Sequence, residues 1–165
     1  MDFGPPLDPM FDIDRRRINV DQYIWSHPLA IDADDFSTLK AICFHIYENQ
    51  FDELVGGGLG LKEGGPAFSK EEICFNGIKP LDGDSFYFPR ISEDLFDVVP
   101  PQPGYHYERV CTTYNHPYSI LVAACLSAAL DLDIIPKFDS TNKGDNYKIG
   151  LGLYKQLKKE KKWQT

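Results

Sequence analysis

The sequence has no long apolar run. The longest, Ile120 to Ala129, is interrupted by Ser127 and falls well short of the ~20 apolar residues that a membrane-crossing helix requires. It also lacks a disulfide framework. Cys43, Cys74, Cys111 and Cys125 follow one another at 31, 37 and 14 residues, with no C-x-x-C and no spacing that fits zinc. Cys43, Cys74 and Cys125 sit inside apolar runs, where a free thiol behaves as a small hydrophobe. The opening Met-Asp-Phe-Gly-Pro-Pro has neither a basic start nor an apolar stretch, which reads against a secretory signal. Together these absences predict a cytoplasmic chain with four free cysteines and no membrane association.

Basic residues are scarce over most of the chain. Residues 1–136 carry 22 acidic and 9 basic side chains, a net of −13, whereas residues 137–165 carry 3 and 8, a net of +5. A body this acidic repels nucleic-acid phosphates and attracts basic partners. The lysines between Lys155 and Lys162 have a simpler use, because cations in a last helical turn complement the helix dipole.

What is present suits one globular domain. The chain has 165 residues, 42% hydrophobic and 25% charged, near globular averages and large enough to bury a core without staples. Residues 1–12, with three prolines, read as an extended arm, and residues 158–165 as a frayed basic tail. Between them, strands are expected at Ile18–Trp25, Glu72–Asn76, Ser85–Phe88, Tyr105–Thr112 and Asp133–Phe138, the last an edge strand because of Pro136. Helices are expected from Asp34, as N-cap, to about Leu54, from Tyr118 to Leu130 after a cap at Asn115 or His116, and from Asp145 to about Lys161. Tyr118 to Leu130 is apolar on nearly every face, the mark of a buried helix. This order predicts an α+β fold: a mostly antiparallel sheet of about four to five strands, three of them in a meander, packed with three helices.

Motifs for chemistry are sparse. The glycine-rich run at residues 56–65 follows a helix rather than a strand and lacks the Gly-Lys-Ser/Thr of a phosphate loop, so it reads as a flexible loop or lid. His27, His45, His106 and His116 fit no zinc spacing, and the aspartates from Asp131 to Asp145 lack the glycine and terminal glutamate of a calcium loop. No metal or cofactor is expected. The most reactive stretch is Tyr105 to Tyr118, where Cys111 with His106 or His116 would be the nucleophile and base of a small hydrolase, and Tyr105, Tyr107 and Tyr118 would line a polar pocket.

The acidic body and the loop from Leu81 to Val99 favour a different role. They predict a protein-binding module of inhibitor or immunity-protein type that neutralises a basic protein partner, such as a toxin, through Asp82, Asp84, Glu93, Asp94 and Asp97. The alternatives are the small hydrolase and a structural or phage-type assembly component.

Overall fold

A computed structural model describes residues 21–60, 64–92 and 106–160. The extended arm, Ile18–Val20, Glu93, Asp94, Asp97, Tyr105 and the lysines after Glu160 lie outside those residues. The fold is α+β, with three helices and two mostly antiparallel sheets.

The first sheet has the order β6-β1-β7, with β1 Gln22–Pro28, β6 His106–Thr112 and β7 Phe138–Ser140. Strand periodicity places Tyr23, Trp25 and His27 on the inner face, and all three are buried. Their antiparallel partners on β6 are Cys111, Arg109 and Tyr107. The second sheet has the order β2-β4-β3, with β5 pairing β4: β2 is Val55–Gly56, β3 Ala67–Phe68, β4 Glu72–Gly77 and β5 Phe86–Pro89.

One sheet with a meander was expected, and two sheets are present. The hairpin β4–β5 forms as predicted, but β6 leaves it to pair along the whole of β1. The expected strand at Asp133–Phe138 also shifts. Ile134 and Ile135 are buried in a bend, Asp133 takes a left-handed φ of 60°, and the edge strand β7 begins only at Phe138. The strands on either side of the glycine-rich run are both anchored on β4: Val55 pairs with Gly77 before it and Ala67 with Cys74 after it.

The sheets are joined at one corner. Ile31 N donates to Arg90 O at 2.8 Å and Ser92 N to Leu29 O at 2.9 Å. Deeper in, Trp25 Nε1 donates to His27 Nδ1 and His27 Nε2 donates to Pro89 O, both at 2.9 Å. An indole N–H only donates, so His27 is fixed as the Nε2–H tautomer. Trp25, Phe75, Phe86 and Phe88 pack around this link with ring centroids 5.0–6.1 Å apart.

Helix α1 spans Ala33–Gln50, and its cap is Asp32, two residues before the expected Asp34. Asp32 Oδ2 accepts from Asp34 N and Asp35 N, which satisfies two donors of the first turn. Helix α2, Ser119–Asp131, has no side-chain cap, so neither Asn115 nor His116 fills that role. It is buried along most of its length, as its sequence predicts. Helix α3, Asp145–Glu160, runs beside α2 in the same direction: Gly150 meets Ala123, and Tyr154 Oη and Lys158 Nζ reach the Asp131 carboxylate at 2.6 and 2.8 Å. A Cβ on Gly150 would stand 2.5 Å from both Ala123 Cβ and Ile120 O, so this helix pair needs glycine there. Cys43, Cys111 and Cys125 are buried, Cys74 is half-buried, and all four are free.

Candidate functional site

Three loops meet at the end of the molecule where α2 and α3 begin, and one buried side chain ties two of them. Asn76, at the end of β4, donates from Nδ2 to Gly58 O at 3.2 Å and to Gly83 O at 2.8 Å. Its Oδ1 accepts from Gly77 N at 2.7 Å and Gly83 N at 3.0 Å. Every hydrogen-bonding position of the amide is used for backbone at residues 58, 77 and 83. The sequence reads Asn76 as the end of a strand; the structure makes it the hub between two loops.

Asp84 and Tyr118 hold the second loop against the third. Asp84 Oδ2 accepts from Thr112 N at 3.0 Å, and Asp84 N donates to Thr112 O at 2.8 Å. Tyr118 Oη donates to Asp84 O at 2.6 Å from a buried ring. Burial and the neighbouring Cys111 and Asp84 push the Tyr118 phenol far above its ordinary range, so it stays a donor. His116 Nδ1 lies 2.9 Å from Asp82 O, and since a carbonyl only accepts, that nitrogen carries the proton.

The third loop is a tight turn. His116 N donates to Thr113 O at 3.1 Å, and both central residues have left-handed backbone, Tyr114 at φ 55° and Asn115 at φ 59°. Asparagine tolerates this region, but a tyrosine there costs of order 1–3 kcal/mol, which its surroundings must supply. Here the base of the turn is pinned to Asp21. Thr113 N donates to Asp21 O and Thr113 Oγ1 to Asp21 Oδ2, both at 2.8 Å, with Ser140 Oγ 3.2 Å from Asp21 Oδ1. From the far side Asn146 Nδ2 donates to Asn115 O and Oδ1.

These bonded loops and the turn after α1 expose apolar side chains among carboxylates. Leu54 is 41% exposed, Leu59 78%, Leu81 45% and Tyr114 51%. Leu54, Ile78, Pro80, Leu81 and Pro117 surround a notch of about 210 Å³, with Glu53 and Lys79 on its rim. Asp52 and Glu53 precede Leu54 in the chain, and Asp82 stands against Gly60, the residue after Leu59. None of these apolar residues stood out in the sequence, because a lone exposed leucine in a loop has no pattern; only the meeting of the loops makes them one surface.

The structure distributes the sequence-derived candidates unevenly. It brings Asp82, Asp84, His116 and Tyr118 together at this end, with Asp84 committed to the end of β6. It separates His106 from Cys111: they are five residues apart on one strand and on opposite faces. Cys111 is buried with Sγ 3.5 Å from Asp84 O, and burial drives its thiol far above the range in which it would ionise. Its pairing with either histidine as nucleophile and base therefore has no support in this geometry. Tyr107 is half-buried on the inner face, donating to Ser92 Oγ at 2.5 Å and accepting from Arg109 Nε at 2.7 Å. His106 and Glu108 lie on the outer face, on an open groove of about 580 Å³ with Ser26, Lys137 and Asp139.

Among the described residues no group of three or more His, Cys, Asp or Glu is arranged to hold a metal, and no helix is long and apolar enough to cross a membrane. Searches of protein-family models, of curated proteins and of solved structures find no match to this chain.

Proposed function

We propose that this chain is a protein-binding module of the cytoplasm, of inhibitor or immunity-protein type, that takes a basic protein partner on the loop platform around Leu54, Leu59, Leu81 and Tyr114. One observation carries this reading: the loops that expose Leu59, Leu81 and Tyr114 are tied by side-chain hydrogen bonds from Asn76, Asp84, Tyr118 and Asp21 without any partner. Preorganisation reduces the ordering cost of association, and exposed apolar anchors inside a charged rim match the anatomy of protein interfaces. Asp52, Glu53 and Asp82 outnumber Lys79 around the notch, so the matching partner surface carries lysine or arginine around an apolar projection sized for it. The acidic balance of residues 1–136 adds long-range steering toward such a partner.

The test starts from the immobilised chain and host lysate, with bound proteins identified by mass spectrometry and the purified partner titrated calorimetrically. A basic partner is expected whose affinity falls at least about tenfold between roughly 50 and 500 mM salt. The double variant Leu59→Ser, Tyr114→Ser and the single variant Asp82→Lys should each weaken binding while leaving the melting curve in place. Asp84 is left alone, since its carboxylate closes the end of β6. Binding indifferent to salt and to these variants would refute the reading.

A further inference from the structure

The hub of the platform carries a chemical liability that its own packing imposes. Gly77 must be glycine, because a Cβ there would stand 2.1 Å from Leu81 O and 2.8 Å from Tyr118 Cδ1. The residue before it must be asparagine, because its amide needs both donors and acceptor for Gly58, Gly77 and Gly83. The fold therefore requires an Asn–Gly pair, the dipeptide in which a backbone nitrogen attacks the preceding carboxamide with least hindrance. Asn76 is the one asparagine of the chain followed by glycine. In the closed structure Gly77 N donates to Asn76 Oδ1 at 2.7 Å, which keeps the nitrogen beside the carboxamide with its proton directed at the oxygen, so attack on Cγ awaits release of that bond.

We propose that Asn76 is a deamidation site, protected while the loops are closed, whose reaction unlatches the platform irreversibly. In the first step Gly77 N gives up its proton and bonds to Cγ of Asn76. The Cγ–Nδ2 bond breaks, ammonia leaves, and a succinimide ring closes. Water then opens the ring at Cγ to leave an aspartyl side chain, or at the main-chain carbonyl carbon to leave an isoaspartyl link. The net change is one water in and one ammonia out.

Closure opposes both steps. Asn76 and Gly77 are buried away from the water and base that the reaction consumes, and Nδ2 is held by two carbonyls. Opening of the loops removes that protection. After reaction the side chain is an acceptor only, and its oxygens face the carbonyls of Gly58 and Gly83 with no proton between them. Both loops lose their shared donor, so each molecule's platform survives in inverse proportion to the time it spends open. The chemistry rests on loop geometry and is read without any partner, so its failure and the failure of the binding proposal are distinguishable.

The full chain is incubated in mildly alkaline buffer, native and in urea, then digested, and the peptide spanning Asn76 is followed by mass spectrometry. Conversion is expected to be at least about tenfold slower in the native protein, the protection that a closed state confers over an open one. Tyr118→Phe removes the bond to Asp84 O but keeps the ring, and should speed native conversion several-fold. The converted native protein, separated by its added negative charge, should exchange amide hydrogens faster at residues 57–60 and 81–85, with α2 unchanged. Equal rates in buffer and urea, no conversion in urea, an unaltered rate in folded Tyr118→Phe, or unaltered exchange in the converted protein would each overturn the proposal.

Discussion

The two ends of this molecule are held by different physics. Around α2 the chain is fixed by apolar burial: Leu121, Val122, Leu126 and Ala128 are fully buried, and α1 and α3 pack beside them. Many weak contacts share that task, so the shape is set collectively. At the loop end the task falls to a few directional bonds from Asn76, Asp84, Tyr118 and Asp21. Each of these makes two or more bonds to other segments of the chain. The core should therefore fail as a whole, and the platform should fail locally, one latch at a time, while the core stays folded.

The largest expected effect is on the core side and comes from acid. Burial, with Arg109 and His106 adding to it against the bond to Pro89, holds the His27 imidazole down to about 3, against its ordinary 6.5. As pH falls, the unfolded chain takes up this proton near 6.5 and the folded chain only near 3. Stability is therefore complete above pH 6.5 and declines through that window, by as much as roughly 4–5 kcal/mol. Urea midpoints measured across the window should follow that slope, and His27→Gln should flatten it. A slope unchanged in His27→Gln would assign the acid sensitivity elsewhere.

Truncation in α2 comes next. Leu126 is fully buried, so Leu126→Ala should cost roughly 2–5 kcal/mol and lower the melting midpoint of the whole domain. Asn76→Ala should cost less, about 1–3 kcal/mol, because opened loops recover water as a partner. Its signature is spatial: amide exchange should rise at residues 57–60 and 81–85 and stay slow in α2. Uniform acceleration in Asn76→Ala would erase the distinction between the two ends. The smallest effect belongs to Tyr114→Gly. Glycine relieves the left-handed strain but adds freedom to the unfolded chain, so stability should hold or rise, by no more than about 2 kcal/mol, while partner binding falls.

The same contrast explains what the sequence disclosed. Collective burial leaves a periodic trace, and the trace was legible: the apolar run of α2, the helix begun at Asp145 and the β4–β5 hairpin all lie where the pattern put them. The α+β class followed from these. Directional latches leave no such trace. The pairing of β6 with β1 joins segments some eighty residues apart and depends on which inner faces match, which no local window contains. Asp32 outcompeted Asp34 as the cap of α1 because its carboxylate reaches two backbone amides, a geometric fact invisible in two equally acidic candidates. At the candidate site, Asp82, Asp84, His116 and Tyr118 were found through charge and polarity. Asn76, Leu54, Leu59, Leu81 and Tyr114 were not, because their meaning arises from residues that meet only after folding.

Hydrogen–deuterium exchange of the full chain with and without its captured partner tests the platform most directly. Binding on this surface predicts added protection at residues 57–60, 78–85 and 113–117, and none on the outer face of β1, β6 and β7. Protection confined to that outer face, beside His106, Glu108 and Asp139, with the three loops unchanged, would contradict it.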